Sequence, residues 1–316
     1  NINIYNNFKF FNKIFKSKND YVMSSITGLD GLEPTVNIIK YTKKIAIANK
    51  ESIICGWNLI QQKLKKHNTK FIPVDSEHFS IWYALKNNDD NLEKIFITAS
   101  GGPFLNLPLK RFKNINIAQA LNHPNWKMGK KITIDSSTMM NKVFEVIEAK
   151  KIFNIEYNKI SILTHPSSYI HAIIKFDNGL IKLIAHETDM KIPIFNTIYE
   201  KRVSNKDIIL QKKINLKKLN HLNFKSINLS RFPLVKILNQ LSEKNSLFET
   251  ILVSANDELV SQFLNKKIRF IDISKKLLRI VKYNDFKKYK KISPNNIKEI
   301  IELSNYVRLK INSKSI

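Results

Sequence analysis

The chain has 316 residues, and its 53 Lys and Arg against 26 Asp and Glu give a formal net charge of +27. This length allows two or three domains with buried cores. No run of about 18 apolar residues occurs, so the sequence predicts no membrane-spanning helix. The single cysteine, Cys55, excludes an internal disulfide and is typical of a reducing compartment.

The positive charge has two explanations. A basic face that binds nucleic acid would gather lysines into a patch with interleaved aromatic residues. Here the lysines are spread along a chain that is rich in Lys, Asn and Ile and has only seven Gly, a composition that an AT-rich genome favours. We therefore expect neither a nucleic-acid partner nor a membrane partner, although a basic surface would attract an anionic substrate.

Three short apolar runs predict buried strands, and each run ends in polar residues. The runs are Lys44–Ala48, Phe71–Val74 and Ile95–Ala99, followed respectively by Asn49–Ser52, Asp75–His78 and Ser100–Pro103. A parallel α/β sheet places functional groups at the carboxyl ends of its strands in this way. The paired glycines after the third run also let backbone N–H groups approach an anion.

Asp75 and Glu77 are the first candidate metal ligands. In an extended chain, residues two apart share a face, so the two carboxylates would point the same way. Their charges repel unless a cation lies between them, and oxygen ligands suit Mg²⁺ or Mn²⁺. The alternative is an ordinary pair of surface acids.

The segment His123–Gly129 combines Trp126 and Met128 with Pro and Gly. Large apolar side chains in a polar loop predict a lid that covers a ligand. The alternative is a loop whose large side chains only fasten it to the core.

A further strand is predicted at Lys131–Ile134, followed by a helix that begins at Asp135 and runs to about Lys150. Ser136, at the start of that helix, would offer its hydroxyl to a phosphate drawn to the helix N-terminus.

One face of the same helix carries Asn141, Lys142 and Glu145, which are three or four residues apart. Glu145 would add a third carboxylate to Asp75 and Glu77.

The remaining chain predicts a sheet and then helices. Strands are expected at Ile160–Leu163, Ile170–Phe176 and Leu180–Ala185, and a connecting segment at Ser204–Ser230. The last part of the chain predicts a helical bundle from Phe232–Asn245, Leu247–Leu264, Ile273–Tyr283 and Asn295–Ile311.

Several stretches together resemble one family, the 1-deoxy-D-xylulose 5-phosphate reductoisomerases of the methylerythritol phosphate route to isoprenoids. The similar stretches, in the order of the family, are ANKES from Ala48, PVDSEH from Pro73, ASGGPF from Ala99, HPNWKMGKKITIDSSTMMNK from His123, HPSSYIH from His165 and SANDE from Ser254. They cover roughly 22–273. Each stretch is weak alone, but their number and order are specific.

The resemblance implies an α/β fold in three parts. These are the remainder of a Rossmann-like NADPH-binding domain (1–73), an α+β catalytic domain with a sheet and a lid loop (74–200), and a C-terminal α-helical domain (226–316). A connecting segment (201–225) would join the last two parts.

The resemblance also implies roles for individual residues. The metal ligands would be Asp75, Glu77 and Glu145, and the catalytic residues Lys50, Glu77 and Glu145. The substrate would contact Lys50, Ser76, Glu77, Ser100, His123, Ser136, Asn141, Lys142 and Glu145. NADPH would contact Asn49, Glu51 and Gly129.

The implied reaction is the rearrangement and NADPH-dependent reduction of 1-deoxy-D-xylulose 5-phosphate to 2-C-methyl-D-erythritol 4-phosphate, with Mg²⁺ or Mn²⁺. The metal would act as a Lewis acid on the substrate's oxygens. The family further implies a homodimer in the cytoplasm of a bacterium; a plastid or apicoplast is the alternative.

Two departures from the family are visible. In the family, a glycine-rich phosphate loop opens the dinucleotide-binding domain, and the seven glycines of this chain form no such motif. In addition, Val143-Phe144 replaces the usual Gly-Leu. We expect a fragment of an active enzyme, because every metal and phosphate ligand is present. The alternatives are an inactive, decayed relative and a basic nucleic-acid-binding protein.

Overall fold

The computed structural model describes residues 8–87, 89–199 and 214–313. Its first sheet has three parallel strands in the order β1-β2-β3, namely β1 (Asn19–Ser24), β2 (Thr42–Ile47) and β3 (Lys70–Pro73). Helical connections, among them the 18-residue helix Lys50–His67, carry the chain from the end of one strand back to the start of the next, as parallel pairing requires. The carboxyl ends of β2 and β3 therefore lie side by side.

The second sheet has five strands in the order β7-β6-β4-β5-β8. They are β4 (Leu92–Ala99), β5 (Ile160–Thr164), β6 (Ile170–Phe176), β7 (Ile181–Ala185) and β8 (Lys225–Ser226). Strand β4 pairs in parallel with β5 and antiparallel with β6, and the other pairs are antiparallel.

The described residues form thirteen α-helices. They are α1 (Phe11–Ile14), α2 (Leu32–Ile38), α3 (Lys50–His67), α4 (Ser76–Leu85), α5 (Ile117–Leu121), α6 (Lys130–Thr138), α7 (Met140–Phe153), α8 (Lys191–Ile198), α9 (Leu216–Asn220), α10 (Phe248–Leu264), α11 (Phe270–Ile280), α12 (Asn284–Lys287) and α13 (Ile297–Asn312).

Short 3₁₀ turns complete the regular structure. They lie at Phe8–Phe10, Leu29–Gly31, Ile39–Tyr41, Leu109–Asn114, Tyr157–Lys159, Pro233–Gln240 and Lys288–Lys291.

The larger of two apolar cores joins the first sheet to the C-terminal helices. Fully buried side chains such as Ile45 of β2, Ile54 of α3, Phe144 of α7 and Ile251 of α10 belong to it. The smaller core lies under the second sheet. Helix α7 contributes to both cores, with Phe144 in one and Val146 in the other. Burial on both sides therefore fixes the position of this helix.

The strand predicted at Lys131–Ile134 is wrong, because these residues lie in helix α6. The alternation of Ile132 and Ile134 with polar residues imitates a strand, but the buried positions of the helix continue with two polar residues, Ser137 and Thr138. Ser137 is buried without penalty because its hydroxyl donates to carbonyl oxygens of Ala120 and Thr133 at 2.8 and 2.9 Å.

The predicted helix start at Asp135 is also wrong, because Asp135 lies within α6. Met139 adopts a left-handed backbone conformation, with φ of 67°, and separates α6 from α7. Ser136 consequently lies in the last turn of α6 and not at a helix N-terminus, so the helix-dipole argument for its binding phosphate does not hold.

The expected helix Phe232–Asn245 is also only partly present, as the 3₁₀ turns over Pro233–Gln240. Most of the connecting segment expected at 201–225 lies outside the described residues. The other C-terminal helices appear where the sequence predicts them, within a few residues. Among the described residues, no helix combines the length and apolar character that a bilayer crossing requires.

Gly31 illustrates how closely the chain packs behind the first sheet. A Cβ atom at Gly31 would meet the carbonyl oxygen of Ile26 and lie 2.6 Å from Nδ2 of Asn49. We predict that Gly31→Ala lowers the free energy of unfolding by about 1–3 kcal/mol, measured by urea denaturation. Gly129→Ala is the matched control, because a Cβ there meets open space. An equal loss in both variants would contradict the packing argument.

Candidate active site

One cavity of about 720 Å³ lies where the carboxyl ends of β2, β3 and β4 meet the start of α7. All thirteen residues for which the sequence suggests a metal, substrate, catalytic or cofactor role line it. They are Asn49, Lys50, Glu51, Asp75, Ser76, Glu77, Ser100, His123, Gly129, Ser136, Asn141, Lys142 and Glu145.

Three carboxylates converge on one side of this cavity. Asp75 caps the N-terminus of α4, Glu77 stands in the first turn of that helix, and Glu145 comes from α7. One oxygen from each lies within 4.8 Å of the other two. The sequence argument from an extended chain is wrong about the local backbone, because a helix cap brings Asp75 and Glu77 together. The cap bond runs from the Glu77 N–H to Asp75 Oδ1, at 3.3 Å.

Two buried lysines reach into the carboxylate cluster. The Lys142 ammonium lies 2.6 Å from Glu77 Oε1 and 2.5 Å from Glu145 Oε2. The Lys50 ammonium contacts Asp75 and lies 3.6 Å from Glu145. Burial opposes the charge on Lys142, but Glu145 and Glu77 outweigh it and raise the pKa of this ammonium. The lysines therefore hold the carboxylates at close range.

His78 lies behind Asp75 and is fully buried. Its Nε2 donates to the backbone carbonyl of Glu145 at 2.8 Å, while Nδ1 faces Asp75 at 3.7 Å and Glu148 at 4.0 Å. Burial opposes protonation, but Glu148 and Asp75 outweigh it and raise the pKa of His78 to about 9. His78 thus ties α4 to α7 through the Glu145 carbonyl, and its ring faces Asp75.

The four carboxylates of the cluster outnumber its three cations by one when all of them are ionised. Burial, together with the nearby Glu77, raises the pKa of Glu145 to about 7. Burial likewise raises the pKa of Glu148 to about 7. A divalent cation would supply the missing positive charge, and three carboxylates are the hard oxygen ligands that such an ion prefers. The residues therefore fit the metal site that the sequence predicts.

His123 lies between two serine hydroxyls in the same cavity. Its Nδ1 accepts from the backbone N–H groups of Asn125 and Trp126 at 3.2 and 3.0 Å, so the neutral ring carries its proton on Nε2. Nε2 lies 3.2 Å from Ser100 Oγ and 3.1 Å from Ser136 Oγ. Because no carboxylate orients Nδ1, this trio does not resemble a nucleophilic triad. It is a set of neutral donors.

Burial, with a smaller effect of Lys142, lowers the pKa of His123 to about 4. Next to it, the Asn141 amide donates to Glu145, and the Asn141 Oδ1 is buried with no hydrogen-bond partner among the described residues. An unpartnered buried acceptor costs free energy unless a bound molecule satisfies it. Asn141 therefore fits a hydroxyl or another donor on a ligand.

The lid segment closes one side of the cavity through Trp126 and Met128. The Trp126 ring packs edge-on against His171 at 6.1 Å, and His171 stacks on His186 at 3.7 Å. The Asn125 amide fastens the loop to the Pro166 carbonyl at 2.7 Å. These contacts hold the segment against β6 and the turn before it.

The residues predicted to contact a cofactor form the far edge of the cavity. Asn49 caps α3 by accepting from the Ser52 N–H, and its amide donates to the carbonyls of Ile26 and Gly28. Its side chain therefore shapes the wall. Glu51 accepts from the Lys131 ammonium at 2.7 Å.

The sequence argument gave no role to several other cavity residues, among them four charged ones: Lys131, Asp135, Asp257 and Arg308. Lys131 and Asp135 form an i,i+4 ion pair at 2.9 Å on α6, which the mistaken strand assignment concealed. Asp257 lies in the SANDE stretch, to which no role had been given. The sequence contains no local signal for Arg308 of α13.

Sequence models of one family match most of the chain. The 1-deoxy-D-xylulose 5-phosphate reductoisomerase model matches residues 3–56, and two models of the C-terminal domain of this enzyme match residues 71–153 and 186–310. These matches extend beyond 22–273 at both ends.

Two relatives named 1-deoxy-D-xylulose 5-phosphate reductoisomerase show how far the similarity reaches. The protein of Pelagibacter ubique is 60% identical over 321 residues, covering all of this chain and 81% of the relative. That of Wolbachia pipientis is 41% identical over 292 residues, covering 90% and 71%.

Two solved structures of enzymes with this name are similar to the fold of this chain. A crystal structure of DOX-P reductoisomerase in complex with NADPH, fosmidomycin and magnesium superposes with a TM-score of 0.85 at 30% identity, covering 93% of this chain and 75% of that chain. The Zymomonas mobilis enzyme in complex with NADPH gives 0.80 at 32% identity, covering 92% and 74%.

The charge deficit of the carboxylate cluster predicts stabilisation by Mg²⁺. At a concentration tenfold above its Kd, the ion should add about 1.4 kcal/mol to the free energy of unfolding and raise Tm by a few degrees. Glu145→Gln should abolish this shift, while Glu243→Gln, whose carboxylate is largely exposed and paired with Lys150, should retain it. A Mg²⁺-dependent shift that survives in Glu145→Gln would contradict the assignment.

The lowered pKa of His123 predicts a pH effect on stability. The unfolded chain takes up this proton near pH 6.5 and the folded protein only near 4, so His123 should reduce stability as the pH falls from about 7 towards 4. Urea unfolding at pH 7.5 and 5.0 should show a larger loss for the wild type than for His123→Gln. Identical losses would refute the buried, neutral state of the ring.

Proposed function

The chain belongs to the 1-deoxy-D-xylulose 5-phosphate reductoisomerase family, and on that premise we propose that its large cavity carries out the reaction of that family. The reaction rearranges and reduces 1-deoxy-D-xylulose 5-phosphate to 2-C-methyl-D-erythritol 4-phosphate. The observation that carries the proposal is the convergence of Asp75, Glu77 and Glu145 within 4.8 Å beside a pocket of hydroxyl, amide and ammonium donors.

Asp75, Glu77 and Glu145 would hold the divalent ion, which supplies Lewis-acid polarisation of substrate oxygens when bound. Magnesium is present in the related crystal structure that also holds NADPH and fosmidomycin, and Mn²⁺ is a second candidate. Both ions suit oxygen ligands.

Lys50 and Lys142 would balance the remaining charge and reach the substrate's oxygens. Because both ammonium groups already contact the carboxylates, they lie next to any sugar oxygen bound there. Lys50, Glu77 and Glu145 are accordingly our candidates for the catalytic residues. The Ser76 hydroxyl donates to Glu77 Oε2 at 2.6 Å and would complete this side of the sugar site.

The neutral donors around His123 would bind the phosphate of the substrate. Ser100, His123 and Ser136 present two hydroxyls and one ring N–H, and Asn141 and Lys142 border them. Holding the phosphate there gives binding energy that orients the distant reacting carbons.

The edge formed by Asn49, Glu51 and Gly129 would receive NADPH, which supplies hydride when bound. The ionised Glu51 is suited to accept hydrogen bonds from the cofactor's hydroxyls. Trp126 and Met128 would close over the substrate and exclude water. We retain the domain boundaries 1–73, 74–200, 201–225 and 226–316 as part of this proposal.

We also propose a homodimer in a bacterial cytoplasm. The edge strand β7 presents Ile181 and Leu183 to solvent, with Leu180 beside them, and these side chains are 44–59% exposed. An exposed apolar edge is typical of a strand that pairs with another chain. Cys55, the only cysteine, is buried and reduced, as the cytoplasm favours.

The alternatives have less support. A nucleic-acid-binding protein has no use for buried carboxylates around a metal site, and its binding to duplex DNA would weaken steeply with salt. An inactive relative would have no reason to keep thirteen predicted site residues around one cavity.

We predict that the full-length gene product oxidises NADPH when given 1-deoxy-D-xylulose 5-phosphate and Mg²⁺ or Mn²⁺. Glu145→Gln should reduce kcat about 100-fold or more, because a missing carboxylate weakens the Lewis acid, while the circular dichroism spectrum stays unchanged. Glu243→Gln is the control with full activity. A correctly folded wild type that does not oxidise NADPH would favour the hypothesis of an inactive relative. Normal turnover by Glu145→Gln would refute the metal assignment.

A further inference from the structure

A second ionic cluster lies at the cofactor edge of the cavity, with Lys131 at its centre. The Lys131 ammonium lies 2.7 Å from Glu51 Oε1, 2.9 Å from Asp135 Oδ2 and 3.1 Å from Asp257 Oδ1. It also lies over the ring of Phe144, at 5.1 Å from the ring centre. The three carboxylates come from α3, α6 and α10, which are distant in the sequence.

The outer partners of the cluster connect it to the C-terminal helices. The Asn256 amide donates to Asp135 Oδ1 at 2.7 Å, and the Arg308 guanidinium lies 3.3 Å from Asp257 Oδ2. Lys131 stands two residues after Gly129, at the C-terminal end of the lid. The cluster therefore joins the first sheet, the lid and the helices α10 and α13 at one point.

Lys131 is the cation of this cluster that contacts all three carboxylates. Arg308 reaches only the outer oxygen of Asp257, so Glu51 and Asp135 depend on the lysine. Burial opposes the charge on Glu51, but Lys131 outweighs it and lowers the pKa of this carboxyl. Without the ammonium, the Glu51 carboxylate would lose the partner that holds it in one place.

We propose that Lys131 is a positioning residue for the cofactor: it holds the Glu51 carboxylate at the cavity edge and links that edge to the lid and to α10. This inference rests on the proposed function, because it takes Glu51 as a residue that contacts NADPH. Lys131 itself needs no contact with the cofactor. Its effect on NADPH affinity should pass through Glu51.

The experiment compares Lys131→Met with Lys151→Met. Lys151 is the matched control because it too forms a buried ion pair between the catalytic region and α10, at 3.0 Å from Glu249, but it does not line the cavity. Both variants should lose thermal stability. Only Lys131→Met should raise the Kd for NADPH, measured by cofactor fluorescence, by roughly tenfold, the loss expected for one charge-assisted hydrogen bond. The Kd for Mg²⁺ should not change.

A double variant tests the route of the effect. If Lys131 acts through Glu51, Glu51→Gln and Glu51→Gln/Lys131→Met should bind NADPH equally weakly, within about twofold. The double variant removes the Glu51 charge together with its partner, so only Asp135 and Asp257 are left without the lysine. Lys131→Arg keeps the charge and should restore most of the NADPH affinity that Lys131→Met loses. Relative to Lys131→Met, it should lower the KM for NADPH without a matching change in kcat.

The proposal is overturned if Lys131→Met binds NADPH as the wild type does, if Lys151→Met weakens binding equally, or if the double variant is weaker than Glu51→Gln by the full factor of the single change. Failure of the proposed function is a separate result, since a wild type without turnover would show it before any variant is compared.

Discussion

The structure places several carboxylates close together in a buried site, and it depends on offsetting the repulsion between them. Asp75, Glu77 and Glu145 come from two helices, and their charges are balanced in part by the ammonium groups of Lys50 and Lys142. Like charges at this range in a low-dielectric interior are costly unless each has a counter-charge and a fixed direction. The lysines, and His78 behind Asp75, supply both. A divalent ion would supply the positive charge that these side chains lack.

The scaffold brings these groups together by two backbone devices. Parallel pairing puts the ends of β2 and β3 side by side, so that α3 and α4 both begin at the cavity with polar first turns. The left-handed conformation of Met139 then lets α7 start at the same place, although α6 precedes it without a loop. Because α7 contributes to both apolar cores, the position of Glu145 is set by packing on two sides. Catalytic geometry of this kind needs such rigid support.

Much of this could be predicted from the sequence. Short apolar runs that end in polar residues located β2, β3 and β4, and the side chains after them do line one cavity. Local backbone form was harder to predict: Lys131–Ile134 alternates like a strand but is helical, because buried Ser137 and Thr138 conceal the helical period. Tertiary contacts decided that segment. The Lys131 cluster was also hidden, since Glu51, Asp257 and Arg308 lie far from Lys131 in the sequence and only folding brings them together.

The central claim is that one divalent cation binds between the carboxylates of α4 and α7. Anomalous scattering from crystals grown with Mn²⁺ tests it most directly, because manganese can be located without assuming its ligands. We predict one strong anomalous peak at roughly 2 Å from oxygens of Asp75, Glu77 and Glu145, with the Lys142 ammonium displaced from between them. A peak elsewhere in the molecule, or these three carboxylates bound only to Lys50 and Lys142 at saturating Mn²⁺, would contradict the account.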